Sequence, residues 1–73
     1  MMSNVIAVFK DAQSRSIGTF VVYRADSQAH ARDVIASAIR GNLPELLKWV
    51  EHIGNTMGAR EYELEVEPVD QAD

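Results

Sequence analysis

The sequence predicts a small α+β domain with element order β-β-α-α-β, and three observations carry that prediction. In residues 60–67, Arg-Glu-Tyr-Glu-Leu-Glu-Val-Glu, polar and apolar side chains alternate strictly from Glu61 onward, the period-two pattern of a half-buried strand. Two earlier runs, 4–10 and 17–24, are rich in β-branched and aromatic residues and flank a polar stretch. Between them and the last strand lie two segments whose apolar residues recur at helical spacing, divided by Gly41.

Residues 4–10, Asn-Val-Ile-Ala-Val-Phe-Lys, are apolar on both faces, which predicts a strand in the centre of its sheet. Residues 11–16 are polar and turn-like, so the second strand, 17–24, forms a hairpin with the first, and Gly18 marks a bulge. Asp26 or Ser27 caps the first helix, in which Ala31, Val34, Ile35, Ala38 and Ile39 share one face. Gly41 supplies its left-handed stop. Asn42 is expected to cap the second helix, Pro44 suits its first turn, and Glu45 stands where a capping box places its acid. That helix lays Leu43, Leu46, Leu47, Val50, Ile53 and Met57 along one stripe, and Gly54 and Gly58 are expected to weaken and end it. In the last strand Tyr62, Leu64 and Val66 face one way, and Glu61, Glu63, Glu65 and Glu67 the other. Pro68 ends the strand, and residues 68–73 are expected to form a frayed acidic tail.

With a hairpin first, the last strand pairs most easily beside strand 1. The expected sheet is three-stranded, antiparallel or mixed, of order 2-1-3, with both helices on one face. Residues 1–73 make one domain. A chain of 73 residues buries a modest core. The absence of cysteine excludes disulfides and thiolate metal sites, leaving helix–sheet packing and self-association to stabilise it. A homodimer is therefore one expectation. The opening Met1-Met2-Ser3-Asn4 lacks a signal-peptide pattern, and no apolar run approaches the ~20 residues that span a bilayer, so a cytoplasmic protein without membrane contact is expected.

The net charge of −4 is unevenly placed. Residues 1–60 hold seven basic and five acidic side chains, net +2, whereas residues 61–73 hold six acidic and no basic ones, net −6. Alternate strand residues lie about 6.5–7 Å apart, so the four glutamates would form a row about 20 Å long. That spacing is of the order separating phosphates along a nucleic-acid strand, so the row suits a basic groove built for nucleic acid. The plainer reading is a solvated face whose charges protect an edge strand.

Trp49 falls beside the second helix's apolar stripe, either closing the core or anchoring an interface, and Tyr23, expected on the open side of the sheet, offers a second anchor. His30 and His52 lack the spacing of a metal site and read as surface histidines. No serine or threonine sits in a nucleophile elbow, and no glycine-rich phosphate loop occurs. No catalytic residue, metal or cofactor is therefore assigned. The seven bases are scattered rather than striped, so direct nucleic-acid binding is not expected.

In size, acidity and freedom from cysteine the chain resembles the small inhibitors that bacteriophages deploy against host systems, anti-CRISPR proteins among them. The segment 23–32, a strand, a capped turn and an Ala-rich helix, is similar to parts of small phage and antitoxin-like domains. The resemblance implies a non-enzymatic inhibitor of a larger protein or nucleoprotein complex with a basic surface. It gives no single residue a role. The alternative is a small structural or homodimeric accessory subunit that associates through its open sheet face or an edge strand.

Overall fold

The computed structural model describes residues 2–69. Its elements follow the expected order: β1 (Ser3–Lys10), β2 (Ser16–Ala25), α1 (Gln28–Ile39), α2 (Pro44–Met57) and β3 (Glu61–Pro68). The sheet order is β2-β1-β3, and both pairings are antiparallel. The smallest dimension is 17 Å, which admits one sheet and one layer of helices.

The central strand explains the layering. On β1 Ser3, Val5, Ala7 and Phe9 are fully buried, while Asn4, Ile6, Val8 and Lys10 are only half-buried. The first set lies under the helices, packed with Ala31 and Val34 of α1 and Val50 of α2. Val66, Leu64 and Tyr62 of β3 sit opposite Val5, Ala7 and Phe9 and extend the same layer. Among the described residues nothing covers the second set. The side chains of one strand thus serve two environments, as an apolar-on-both-faces pattern requires of a central strand.

Local chemistry sets the boundaries. Asp11 organises the β1–β2 turn: its Oδ1 accepts from the N–H of Gln13 and of Arg15, both at 2.9 Å. Ser27 caps α1, its Oγ accepting from the His30 N–H at 3.1 Å. Gly41, at φ 82°, ends α1 with Asn42 N–H donating to Ser37 O and Gly41 N–H to Ala38 O, so orphan carbonyls are satisfied. Asn42 is consumed by this stop and is not the cap of α2. Leu43 occupies that position without a side-chain bond, so Glu45 completes no capping box. Gly58, at φ 77°, ends α2 in the same way, with Ala59 N–H donating to Gly54 O at 2.8 Å. Arg60 N–H then donates to Lys10 O at 2.8 Å, which sets β3 beside β1.

Several expectations need correction. Ile39, expected on the buried face of α1, lies 77% exposed at the last position of the helix, on the rim of a cleft it shares with Leu47, Tyr62 and Leu64. Met57 is exposed as well. Pro68 belongs to β3, opposite Ser3, and Val69 N–H donates to Met2 O at 3.1 Å, so the strand's end is bonded rather than frayed. The rest of the expected tail, 70–73, lies outside the described residues.

Gly58 ends α2 as expected, and Gly54, the expected weak point inside the helix, also has a packing role. It is buried within the helix, and a Cβ there would stand 3.1 Å from Phe9 Cε1 and 3.3 Å from Cδ1. The glycine lets the helix lie close on the sheet. Gly54→Ala gains about 1 kcal/mol of helix propensity, against about 1–3 kcal/mol for forcing a methyl into a packed contact. The net expectation is a loss of about 1 kcal/mol. It is read as a lower urea midpoint with unchanged slope, and a raised midpoint would show that the contact is not tight.

Candidate functional site

The uncovered sheet face is built by register. Cross-strand partners share a face, so reading across the sheet gives four rows. These are Arg24–Asn4–Glu67, Val21–Ile6–Glu65, Thr19–Val8–Glu63 and Ser16–Lys10–Glu61. The face is thus a column of four exposed carboxylates along β3, an apolar centre of Ile6, Val8 and Val21, and a mixed rim on β2. The strict alternation of β3 places every glutamate here.

Within this column the carboxylates are not equivalent. Lys10 Nζ donates to Glu63 Oε2 at 2.8 Å, forming an ion pair across β1 and β3. Asn4 Nδ2 donates to Glu67 Oε1 at 3.3 Å. Glu61 and Glu65 have no side-chain partner among the described residues. The mutual repulsion of the row is therefore relieved from the neighbouring strand, by a lysine that the charge count over β3 alone does not reveal. The Lys10 ammonium is held above its usual range, first by its hydrogen bond to Glu63 and then by the charges of Glu63, Glu61 and Glu65, against some desolvation.

On the covered side, burial raises the Tyr62 phenol above its usual value, with a smaller contribution from the charge of Glu51. Both raised groups act on stability with the same sign. The folded chain holds each proton more tightly than the unfolded chain does, so their contribution is complete below the unfolded values of about 10.0 and 10.4. It is lost as pH rises through the higher folded values. The urea midpoint is expected to hold up to about pH 10 and to fall above it, and a midpoint that stays flat as the pH is taken from about 10 to about 11.5 would contradict it. Lys10→Met should make the fall shallower.

Tyr23 is not on the open face. It pairs with Val5 and its ring stands edge-on to His30 of α1, centroids 5.6 Å apart, which puts it on the helix side. The cause is a bulge: the register shifts between Val5 and Ile6, so Val22 becomes an extra residue that enters the core and reverses the alternation around it. His30 is likewise no free surface histidine. Its Nδ1 accepts from Asp26 N–H at 3.4 Å, and its Nε2 lies 3.3 Å from Tyr23 Oη. His52 is exposed.

Trp49 is 45% exposed and stands at the edge of the helical layer, edge-on to Phe20 of β2 at 6.0 Å. The structure therefore brings Glu61, Glu63, Glu65 and Glu67 together and leaves Trp49 and Tyr23 on the other side of the sheet. Sequence reasoning missed Lys10, Asn4, Ile6, Val8 and Val21 as parts of the open face. Their period-two positions were visible, but which of them meets which glutamate depends on register. Among the described residues no three His, Asp or Glu side chains are grouped to hold a metal ion, and no helix is long and apolar enough to cross a membrane.

These features define a two-layer α+β domain with one sheet face covered by helices and the other open, acidic along one edge and apolar at its centre. Compared with known proteins, the chain matches no family model, no curated protein and no solved structure.

Proposed function

We propose that the chain is a non-enzymatic, cytoplasmic protein-binding module whose open face docks on the basic surface of a larger nucleic-acid-handling complex and inhibits it. The observation that supports this reading is the column of four exposed carboxylates on one rigid strand beside the apolar centre of Ile6, Val8 and Val21. Charges at the rim of a contact steer association and set specificity, while apolar groups at its centre supply the burial. Glu61 and Glu65 are uncommitted within the described residues and available to a cationic partner. Trp49 and Tyr23 lie on the other side of the sheet and are set aside as anchors for this contact.

The test is a tagged pull-down from nuclease-treated bacterial lysate, comparing the wild type with a variant carrying Gln at positions 61, 63, 65 and 67. A discrete nucleic-acid-handling complex, held by the wild type alone and released by salt, is the expected result. The same set of proteins on both baits, or none on either, would rule the reading out.

A further inference from the structure

The two edges of the sheet differ sharply. β3 presents Glu61, Glu63, Glu65, Glu67 and Pro68, the charges and proline that keep an edge from pairing with another strand. β2 carries no charge from Ser16 to Tyr23. Of the eight large hydrophobic residues exposed among the described ones, six gather at this second edge: Ile17, Phe20, Val21 and Tyr23 on β2, with Trp49 and Met57 of α2. Trp49 packs on Phe20, and the Met57 methyl lies 2.7 Å from where a Cβ on Gly18 would stand, so both α2 residues belong to the same patch. A patch of this kind beside an unpaired edge marks an interaction surface.

We propose that this edge takes a second copy of the same chain, β2 pairing antiparallel with its twofold-related β2 to make one six-stranded sheet. Charge selects the occupant. The central stretch is uncharged, and each end of the strand balances itself: Arg15 is paired to Asp11 at one end, and Arg24 is followed by Asp26 at the other. Bringing the start of one β2 to the end of its partner therefore meets no like-charge barrier. Pairing through β3 would set glutamate against glutamate, so the assembly closes at two chains and does not grow into a fibre. The stretch Gly18–Val21, regular between the two register shifts, is the place where the new strand pairs. Phe20 and Trp49 of each copy flank it on the helix side, and Val21 on the open side. The acidic columns end up at the two outer edges of the joined sheet, free for another partner; Val21 is the one residue shared with the face proposed above, and self-association is read on the chain alone, so either proposal can fail without the other.

The test is sedimentation velocity on the full chain from about 5 to about 500 µM, the range in which an interface at the small end of the usual sizes associates. The mass should rise toward twice 8.1 kDa. Val21→Lys, which sets two like charges near the twofold axis, should hold the chain at single mass, and Trp49→Ala should weaken association about tenfold or more. A wild type that stays at single mass throughout overturns the proposal. So does a dimer that survives Val21→Lys, or one that is lost in a Glu61→Gln, Glu65→Gln variant, since either places the contact elsewhere. Should Val21→Lys fail to fold, amide resonances of the wild type decide the matter. Those of Gly18–Val21 should move with concentration and those of β3 should not, and the reverse pattern would refute the edge pairing.

Discussion

Phe9→Ala is expected to destabilise the domain by about 3–5 kcal/mol, the cost of truncating a fully buried aromatic side chain. The ring is completely buried, and Tyr62 lies against it at a centroid distance of 6.3 Å. Gly54 of α2 closes over its other edge, so the ring joins the sheet to the second helix. A chain of 73 residues has on the order of 4–11 kcal/mol of total stability. The loss is therefore about a quarter of that total at the least. Urea unfolding followed by far-UV circular dichroism should show a strongly reduced midpoint or a largely unfolded chain at 25 °C. A drop under about 1 kcal/mol would mean that the ring is not central to the core.

A double-mutant cycle sharpens this. In the wild-type background the methyl of Gly54→Ala presses on the ring. With the ring gone, that methyl enters the vacated space, and the helix-propensity gain of about 1 kcal/mol is left unopposed. The sign of Gly54→Ala should reverse, from destabilising beside Phe9 to stabilising beside Ala. Where Phe9→Ala alone is too unstable to measure, Phe9→Leu serves as the background. An effect of Gly54→Ala that is the same in both backgrounds would refute the close-approach account of this glycine.

The same pair shows where sequence reasoning stops. The fold was legible because each strand carries its environment in its pattern: β1, apolar on both faces, is central, and β3, alternating, has one wet face. What the pattern omits is the contact across elements. Gly54 reads as a helix breaker until the helix is laid on Phe9, and only then is the missing Cβ a requirement of packing. Simple alternation puts Tyr23 on the wrong face because a single extra residue, Val22, inverts the side chains beyond it, and no residue type there announces a bulge. Ile39 keeps the helical period, yet it stands at the last position of α1 and stays exposed, which periodicity alone does not reveal. The glutamate column was fully visible, yet its division into engaged and free carboxylates was not, since Lys10 and Asn4 meet Glu63 and Glu67 only through the β1–β3 register.

That division yields the largest expected effect on binding. An exposed ion pair contributes about 0.2–1 kcal/mol, so replacing all four glutamates by Gln should remove about 1–4 kcal/mol, or about 5- to 1000-fold in affinity for the complex recovered in the pull-down. The four do not contribute equally. Glu63 and Glu67 already have partners within the chain, so Glu61→Gln with Glu65→Gln should weaken capture more than Glu63→Gln with Glu67→Gln. Chain stability should respond in the opposite order. Removing the two unpartnered charges relieves repulsion along the strand and should leave the urea midpoint unchanged or raised. Removing the two engaged ones ends the ion pair to Lys10 and leaves Asn4 and Lys10 only neutral amide acceptors, which should lower it. The two pairs carry the same net charge change, so a face that acted by overall acidity alone would show them equal in binding. Equal loss from both pairs, or capture insensitive to salt between about 50 and 300 mM where surface charges are progressively screened, would leave the column a solvated edge and remove it from the binding site.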